Sequence, residues 1–336
     1  MTRPVFVTGA SGFIARHILL SLLRAGHAVR GSVRSVAKAE DVRASLARHL
    51  GRDPEGLAFC LLDLTRDAGW SEAMAGCGAL VHTASPVPLE QPDTPETLVL
   101  PAVDGTTRAL DAAARAGIAR VVLTSSVAAI SGQKAGAVAR FTTTDWTDPN
   151  LPGLSPYALS KTLAERAAWQ RAEALGLKLT TINPSFVFGP ALDADTGASL
   201  GVIQRLLTAR DPAVPRVSFF VVDVRDVADL HLAALTDDTT AGQRIIAASQ
   251  QIWLREIAAE LRAAHPGHPV PRLPAPDWLV RLLARREPAL RWITPSLGRV
   301  VTFDTAPCRA LLGREMIPAR QAVRDGAASL IAHGLA

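Results

Sequence analysis

Pro4-Val-Phe-Val-Thr-Gly-Ala-Ser-Gly-Phe-Ile-Ala15 opens the chain with a short apolar strand, a glycine turn and the start of an amphipathic helix that runs to about Ala25. Strand, turn and helix in that order form the phosphate-binding unit of a dinucleotide fold. The glycines let the backbone turn tightly and approach a pyrophosphate, whose charge then meets the helix N-terminus. The spacing is Gly9-x-x-Gly12-x-x-Ala15, with alanine at the third small position, where close helix–strand packing needs only a small side chain. Ordinary turns use the same residues. The placement directly between a strand and a helix is what points to a nucleotide.

The second strand, Ala28-Val-Arg-Gly-Ser-Val33, should end beside the adenosine ribose, where an acidic side chain selects NAD and an arginine accommodates the 2′-phosphate of NADP. No Asp or Glu occurs between Val29 and Ala39, and the chain offers Arg34-Ser-Val-Ala-Lys38 instead. A guanidinium grips a phosphate with two parallel bonds, and Lys38 adds a second positive charge one helical turn on. The expected cofactor is NADP(H).

Strand and helix patterns then alternate. Leu57–Leu62 is a buried strand ending at Asp63, Ala79–His82 is the next, and Thr83-Ala-Ser-Pro86 is a turn. A helix from about Pro95 to Gly117 precedes the fifth strand, Arg120–Thr124, and Leu177–Asn183 supplies a sixth. Such alternation of near-continuous apolar strands with helices predicts an α/β fold with a doubly wound parallel sheet of the Rossmann type. Beyond Pro184 the regularity fades, and His265–Pro276 is a proline-rich connector. The predicted division is a nucleotide-binding domain over residues 1–183, with 217–248 returning to it because Phe219–Val227 again reads as strand then helix. A smaller, mostly helical substrate lobe takes 184–216 and 249–336.

Tyr157 is the only tyrosine in the 336 residues, and Lys161, one of four lysines, stands four positions on. Pro156–Arg166 predicts a helix with Ser155 as N-cap and Pro156 at its first position. One helical turn separates phenol and ammonium, so they share a face. A free phenol has a pKa near ~10; an adjacent cation favours the phenolate and lowers it, which makes a general acid/base for carbonyl/alcohol interconversion. Ser125 and Ser126 follow the fifth strand at the carboxyl edge, where such sheets bind ligands, and a hydroxyl there can donate to a substrate carbonyl.

Together these residues resemble the extended short-chain dehydrogenase/reductase family, and within it the dihydroflavonol reductase, cinnamoyl-CoA reductase and methylglyoxal/carbonyl reductase branch. The matching stretches are Val7–Ile14, Arg34-Ser-x-x-Lys38, Leu80–Pro86, Val122–Ser126, Tyr157–Glu165 and Ile182-Asn-Pro-Ser-x-Val-x-Gly-Pro190, dense over residues 4–230 and thin beyond. The resemblance implies Ser126 as the carbonyl-binding hydroxyl, Tyr157 as proton donor, and Lys161 as the cation that lowers the tyrosine pKa and holds the nicotinamide ribose. It also implies cofactor contacts from Gly9, Ser11, Gly12, Phe13 and Ile14, from Asp63 and Leu64 against adenine, from Thr83, Ala84, Ser85 and Thr124, and from Pro184, Ser185 and Val187 near the nicotinamide. Pro86, Val127, Phe186 and Phe219 are expected to line the substrate pocket. Asp63 has an alternative role as a cap of the turn into Thr65, and Pro184 as a strand end. Two departures stand out. Asp104 replaces an asparagine thought to help proton relay, and the Asn-Trp-Cys-Tyr-Ala-Lys signature of cinnamoyl-CoA reductases is absent, which argues against a CoA thioester substrate.

The implied activity is NADPH-dependent, reversible reduction of an aldehyde or ketone. Alternatives on the same scaffold are a sugar-nucleotide epimerase or dehydratase, and a non-catalytic NADP-sensing protein. Thr124-Ser-Ser-Val127 lacks the Thr-Asp-Glu-like acid pair of dehydratases. A net charge of +5 with arginines alternating with acids, as at Glu165-Arg166, and no basic run interleaved with aromatics speak against nucleic acid. Hydrophobic residues make up 48%, yet no apolar stretch reaches the ~18 needed to span a bilayer. Cys60, Cys77 and Cys308 form no C-x-x-C spacing, and His265 and His268 lack a third ligand, so no metal is expected. Met1-Thr-Arg-Pro4 leads straight into the first strand, and the expectation is a cytoplasmic monomer or homodimer. With 5% aromatics, the pocket should suit aryl or alkyl carbonyls better than sugars.

Overall fold

The computed structural model describes residues 3–86, 94–132, 138–286, 290 and 293–336. Among them, β1 (Val5–Thr8), β2 (Val29–Val33), β3 (Leu57–Leu61), β4 (Ala79–His82), β5 (Arg120–Thr124), β7 (Lys178–Pro184) and β11 (Arg244–Ala247) form a seven-stranded parallel sheet. The order is β3-β2-β1-β4-β5-β7-β11. Chain order reverses between β1 and β4, and the crevice outside the strand ends at that reversal is where such sheets take their ligands.

Both faces of the sheet are covered. Alternation sends Phe6 to one side and Val5 and Val7 to the other. Val5 and Val7 join a core with α1 (Phe13–Arg24), α2 (Val36–Leu50) and α7 (Val224–Thr236). Phe6 joins Leu80, Val121 and the inner residues of α3 (Trp70–Met74), α4 (Glu96–Arg115) and α5 (Pro156–Leu175). This two-sided burial is why the strands read as apolar runs.

The segment Phe219–Val227 is strand then helix, but the strand does not return to the parallel sheet. β8 (Phe186–Phe188) follows β7 after Ser185 alone, which turns the chain out of the main sheet, and β10 (Ser218–Asp223) pairs with it in parallel. β12 (Gln250–Trp253) adds antiparallel to β10. The element that does return is β11, beside β7. Asp223 ends β10 and caps α7, accepting from the Arg225 amide at 2.8 Å. The fully buried Asp226 is held by Arg314 at 2.6 Å and the Ile317 amide at 2.7 Å, so both acids are structural.

The C-terminal lobe is mostly helical, with a few short strands between its helices. It contains α6 (Gly197–Leu207), α8 (Leu254–Ala264), α9 (Asp277–Leu283) and helices over Ala306–Leu312 and Ala319–Ala332. Two small parallel pairs accompany them: β9 (Val214–Pro215) with β13 (Pro274–Ala275), and β6 (Val138–Phe141) with β14 (Val300–Phe303). No helix among the described residues is long and apolar enough to cross a membrane.

Candidate active site

The turn after β1 is built for close approach. Gly9 has φ +64°, and a Cβ there would stand 3.0 Å from the Ala84 Cα, so β1 and β4 meet with no room for a side chain. The Gly12 amide donates to the Gly9 carbonyl at 2.9 Å. As N-cap of α1, Gly12 brings no side chain to the helix's first amides, which leaves them for an anion. Ser11, Phe13 and Ile14 lie along this turn and first helical residues. Thr8 fixes the other wall: its Oγ1 accepts from the Thr83 and Ala84 amides at 3.0 and 3.1 Å, leaving its own proton for His82 Nδ1 at 2.9 Å. Burial holds His82 neutral, its pKa lowered to about 3.

At the outer rim, Arg34 is exposed and Lys38 sits in the first turn of α2, its amide capped by Ser35 at 3.3 Å. Acids from the loop between β8 and α6 meet the cations: Lys38 Nζ is 3.3 Å from Asp195, and the buried Arg16 pairs with Asp193. These residues, with Asp41 and Arg48, surround a cleft of about 490 Å³. Asp63 caps the turn into Thr65, accepting from the Thr65 amide and hydroxyl at 2.8 and 2.7 Å, which holds its carboxyl below the usual range. Leu64 packs over Gly105 of α4.

The inner end is carried by β5 and α5. Ser155 caps α5 by accepting from the Ala158 amide at 3.1 Å, Pro156 follows, and Gly176 closes the helix at φ +66°. Tyr157 and Lys161 share a face, with Nζ 5.9 Å from the centre of the phenol ring. The Ser126 hydroxyl lies close enough to the Tyr157 phenol to pull its pKa down, and Ser126 Oγ accepts from the Ala128 amide at 3.1 Å. Ser125 is spent elsewhere: its hydroxyl donates to Glu165 at 2.5 Å. The two adjacent serines are thereby told apart by geometry, and Ser126 is the one that faces the phenol.

The electrostatics differ from the sequence expectation. Burial pushes the Tyr157 phenol above its ordinary value, and the group opposing this is the Ser126 hydroxyl rather than Lys161. Burial also lowers Lys161, to about 8, against the pull of Glu165. Loss of water around both groups outweighs their mutual attraction across one helical turn.

Ser185 is buried and its Oγ has no hydrogen-bond partner within the protein, an acceptor and donor left for a ligand beside Pro184 at the end of β7. Other predicted contacts are already engaged. The Thr124 hydroxyl lies 2.7 Å from His231 Nε2, and Val187 is turned into the core, which leaves its backbone alone for a ligand. On the opposite side of β8, the 39% exposed Phe186 packs against Phe219 with ring centres 4.4 Å apart and the rings tilted by 54°. Ser85, Pro86 and Val127 are half-buried. The rest of the loop beyond Pro86 lies outside the described residues. Asp104 is exposed on α4, so the altered relay position is turned to solvent.

Sequence reading missed three features. Glu165, read only as part of the charge alternation with Arg166, is fully buried, because it continues the one-turn spacing of Tyr157 and Lys161 on the inner side of α5. Asn183 and the acids at 193 and 195 were passed over. The signal for Glu165 was present: a carboxylate at i+4 from Lys161, flanked by Ala164 and Ala168.

A family model described as "NAD dependent epimerase/dehydratase family" matches residues 5–248. The chain is 36% identical to cinnamoyl-CoA reductase 1 of Petunia hybrida over 270 residues, covering 80% of this chain and 79% of that protein. It is 32% identical to a putative NADPH-dependent methylglyoxal reductase, GRP2, of Candida albicans, covering 78% and 83%. Among solved structures, Gre2 of Candida albicans in complex with NADPH superposes with a TM-score of 0.80 at 29% identity, covering 98% of this chain and 99% of that one. Match length, identity and a shared fold over nearly the whole chain agree: the protein belongs to the NAD dependent epimerase/dehydratase family, the extended short-chain dehydrogenases/reductases.

Proposed function

We propose that this protein is an NADPH-dependent reductase of aldehydes or ketones, reversible as an alcohol dehydrogenase. The observation that carries the reading is the meeting of Ser126, Tyr157 and Lys161 at the carboxyl edge of β5, across the crevice from the glycine turn. The residues present fit the cofactor. The Gly9–Ala84 approach leaves a cradle that a Cβ would fill, the uncapped first amides of α1 would take a pyrophosphate, and the orphaned Ser185 hydroxyl would serve the nicotinamide end. Arg34 and Lys38 would hold the 2′-phosphate, and Lys161 the nicotinamide ribose. NADPH is also what the Candida relatives bind or use by their names.

NADPH held by these residues would supply a hydride for the substrate carbonyl. Ser126 and Tyr157 hold the carbonyl oxygen by hydrogen bonds that strengthen as negative charge grows there. Tyr157 then gives its proton to that oxygen, and the Lys161 ammonium stabilises the phenolate left behind. The Phe186–Phe219 pair would give the substrate pocket an apolar face, which suits an alkyl or aryl group beside the carbonyl.

The test is Tyr157→Phe, assayed by NADPH oxidation over a panel of aldehydes and ketones. Loss of a proton donor should lower kcat by about 10²–10⁴-fold with folding intact. A folded variant turning over at the wild-type rate would refute the assignment.

A further inference from the structure

Behind Lys161 lies a buried charge that the reduction as described does not use. The Glu165 side chain is fully buried and its carboxylate is saturated with donors. One oxygen, Oε2, accepts from Ser125 Oγ at 2.5 Å and Asn183 Nδ2 at 2.7 Å. The other accepts from Arg244 Nε at 2.7 Å and from Trp169 Nε1 and Thr181 Oγ1, each at 3.3 Å. Asn183 also donates to the Ser126 carbonyl at 3.2 Å. Arg244 is fixed in turn: its Nη1 donates to the Thr143 and Asp145 carbonyls at 2.8 and 2.7 Å, and its guanidinium stacks on Trp146 at 3.8 Å.

Two observations tie this hub to the reaction rather than to the core alone. Lys161 and Glu165 line the same small cavity with Ser85, Thr106, Thr124 and Ser125; at about 10 Å³ it has room for roughly one water. The hub's partners also bracket the strand end that carries Ser126, with Ser125 before it in sequence and Asn183 on its carbonyl. A buried ammonium without a counter-charge would shed its proton. The ionisable groups facing Lys161 among the described residues are Tyr157 and Glu165 on α5 and the neutral His82 of β4, with Arg244 behind Glu165. Glu165 is the acid of that set.

We propose that Glu165 is a positioning residue of the reduction: it supplies the fixed negative charge that keeps Lys161 protonated, and through Ser125 and Asn183 it sets the strand end from which Ser126 faces Tyr157. This rests on the catalytic reading of Ser126, Tyr157 and Lys161. It is tested on the cofactor-free protein, so that its failure is distinguishable from absence of reductase activity.

The chain has four lysines, so in isotope-labelled protein the Lys161 Cε resonance can be assigned by comparison with Lys161→Arg and titrated. The wild-type midpoint should lie near about 8. In Glu165→Gln it should fall by about one pH unit or more, and the alkaline limb of kcat should move by the same amount. Because a single exchange orphans Arg244 and risks the fold, Glu165→Gln/Arg244→Gln is the second variant. It removes the ion pair as a unit, which buried pairs tolerate better, and a fall in the same direction but smaller is expected, because the Arg244 cation leaves with the carboxylate. A purely structural Glu165 would lower kcat without moving either midpoint. An unshifted Lys161 titration in either folded variant overturns the proposal.

Discussion

The two ends of the cofactor crevice are held by ion pairs of opposite character. At the outer rim, Lys38 and Asp195 meet at 3.3 Å with side chains 42% and 46% exposed. At the inner end, Arg244 and Glu165 meet at 2.7 Å with side chains 8% and 0% exposed. A screened surface pair contributes about 0–1 kcal/mol and is readily exchanged. Removing one partner of a buried pair costs about 3–5 kcal/mol, because the other charge is left dry and unpaired. On the proposed function, the exposed rim pair would release its lysine to a phosphate at little cost, whereas the buried floor pair is fixed by its own partners.

The strongest challenge to this contrast is acid. Two neutral histidines lie in the floor, His82 against Thr8 with a pKa lowered to about 3, and His231 against Thr124 lowered to about 4. Both folded values lie below the unfolded one, so the unfolded chain takes up protons first. Stability is complete above about pH 6.5 and falls as pH drops below it, by about 1.4 kcal/mol per pH unit for each histidine until its folded pKa is reached. Urea unfolding at pH 7 and 4.5 should show a loss of several kcal/mol. His231→Gln, which still accepts from Thr124, should lose its share of the slope. A slope unchanged by that exchange would mean the floor is wetter than its burial indicates.

The rim is probed through the cofactor. Replacing Arg34 and Lys38 together with alanine should raise KM for NADPH by roughly 10²–10⁴-fold and leave NADH nearly unaffected, since charged hydrogen bonds to the 2′-phosphate contribute about 1.5–3 kcal/mol each. Equal losses with both cofactors would place the phosphate elsewhere. The smallest effect belongs to Asp195→Asn. Freeing Lys38 from its acid should tighten NADPH about two- to fivefold, in line with an exposed pair. Weaker binding would show that the acid helps shape the site instead of competing for it.

Much of this was legible in the sequence because it is local. The glycine turn at Gly9–Gly12, the Ser155-Pro156 helix start and the shared face of Tyr157 and Lys161 are each set within a few residues, by backbone freedom, capping and helical period. What escaped depends on partners distant in the chain. Asp195 meets Lys38 across 157 positions, and Arg244 meets Glu165 across 79. No local pattern shows that β10 pairs with β8 instead of joining the parallel sheet, because pairing is a property of two segments at once. The phenol pKa failed for a related reason: sequence shows the neighbouring charge but not the lost water.

Tyr157, Lys161, Glu165 and Trp169 recur at one-turn intervals along α5, whose two ends are fixed by Ser155 and Gly176. Their separations come from the helix pitch of about 5.4 Å rather than from loops. Tyr157, Lys161 and Glu165 are thus held on one rigid rod. Loops and lobes elsewhere are free to be rebuilt for new substrates while the spacing of these groups is inherited unchanged.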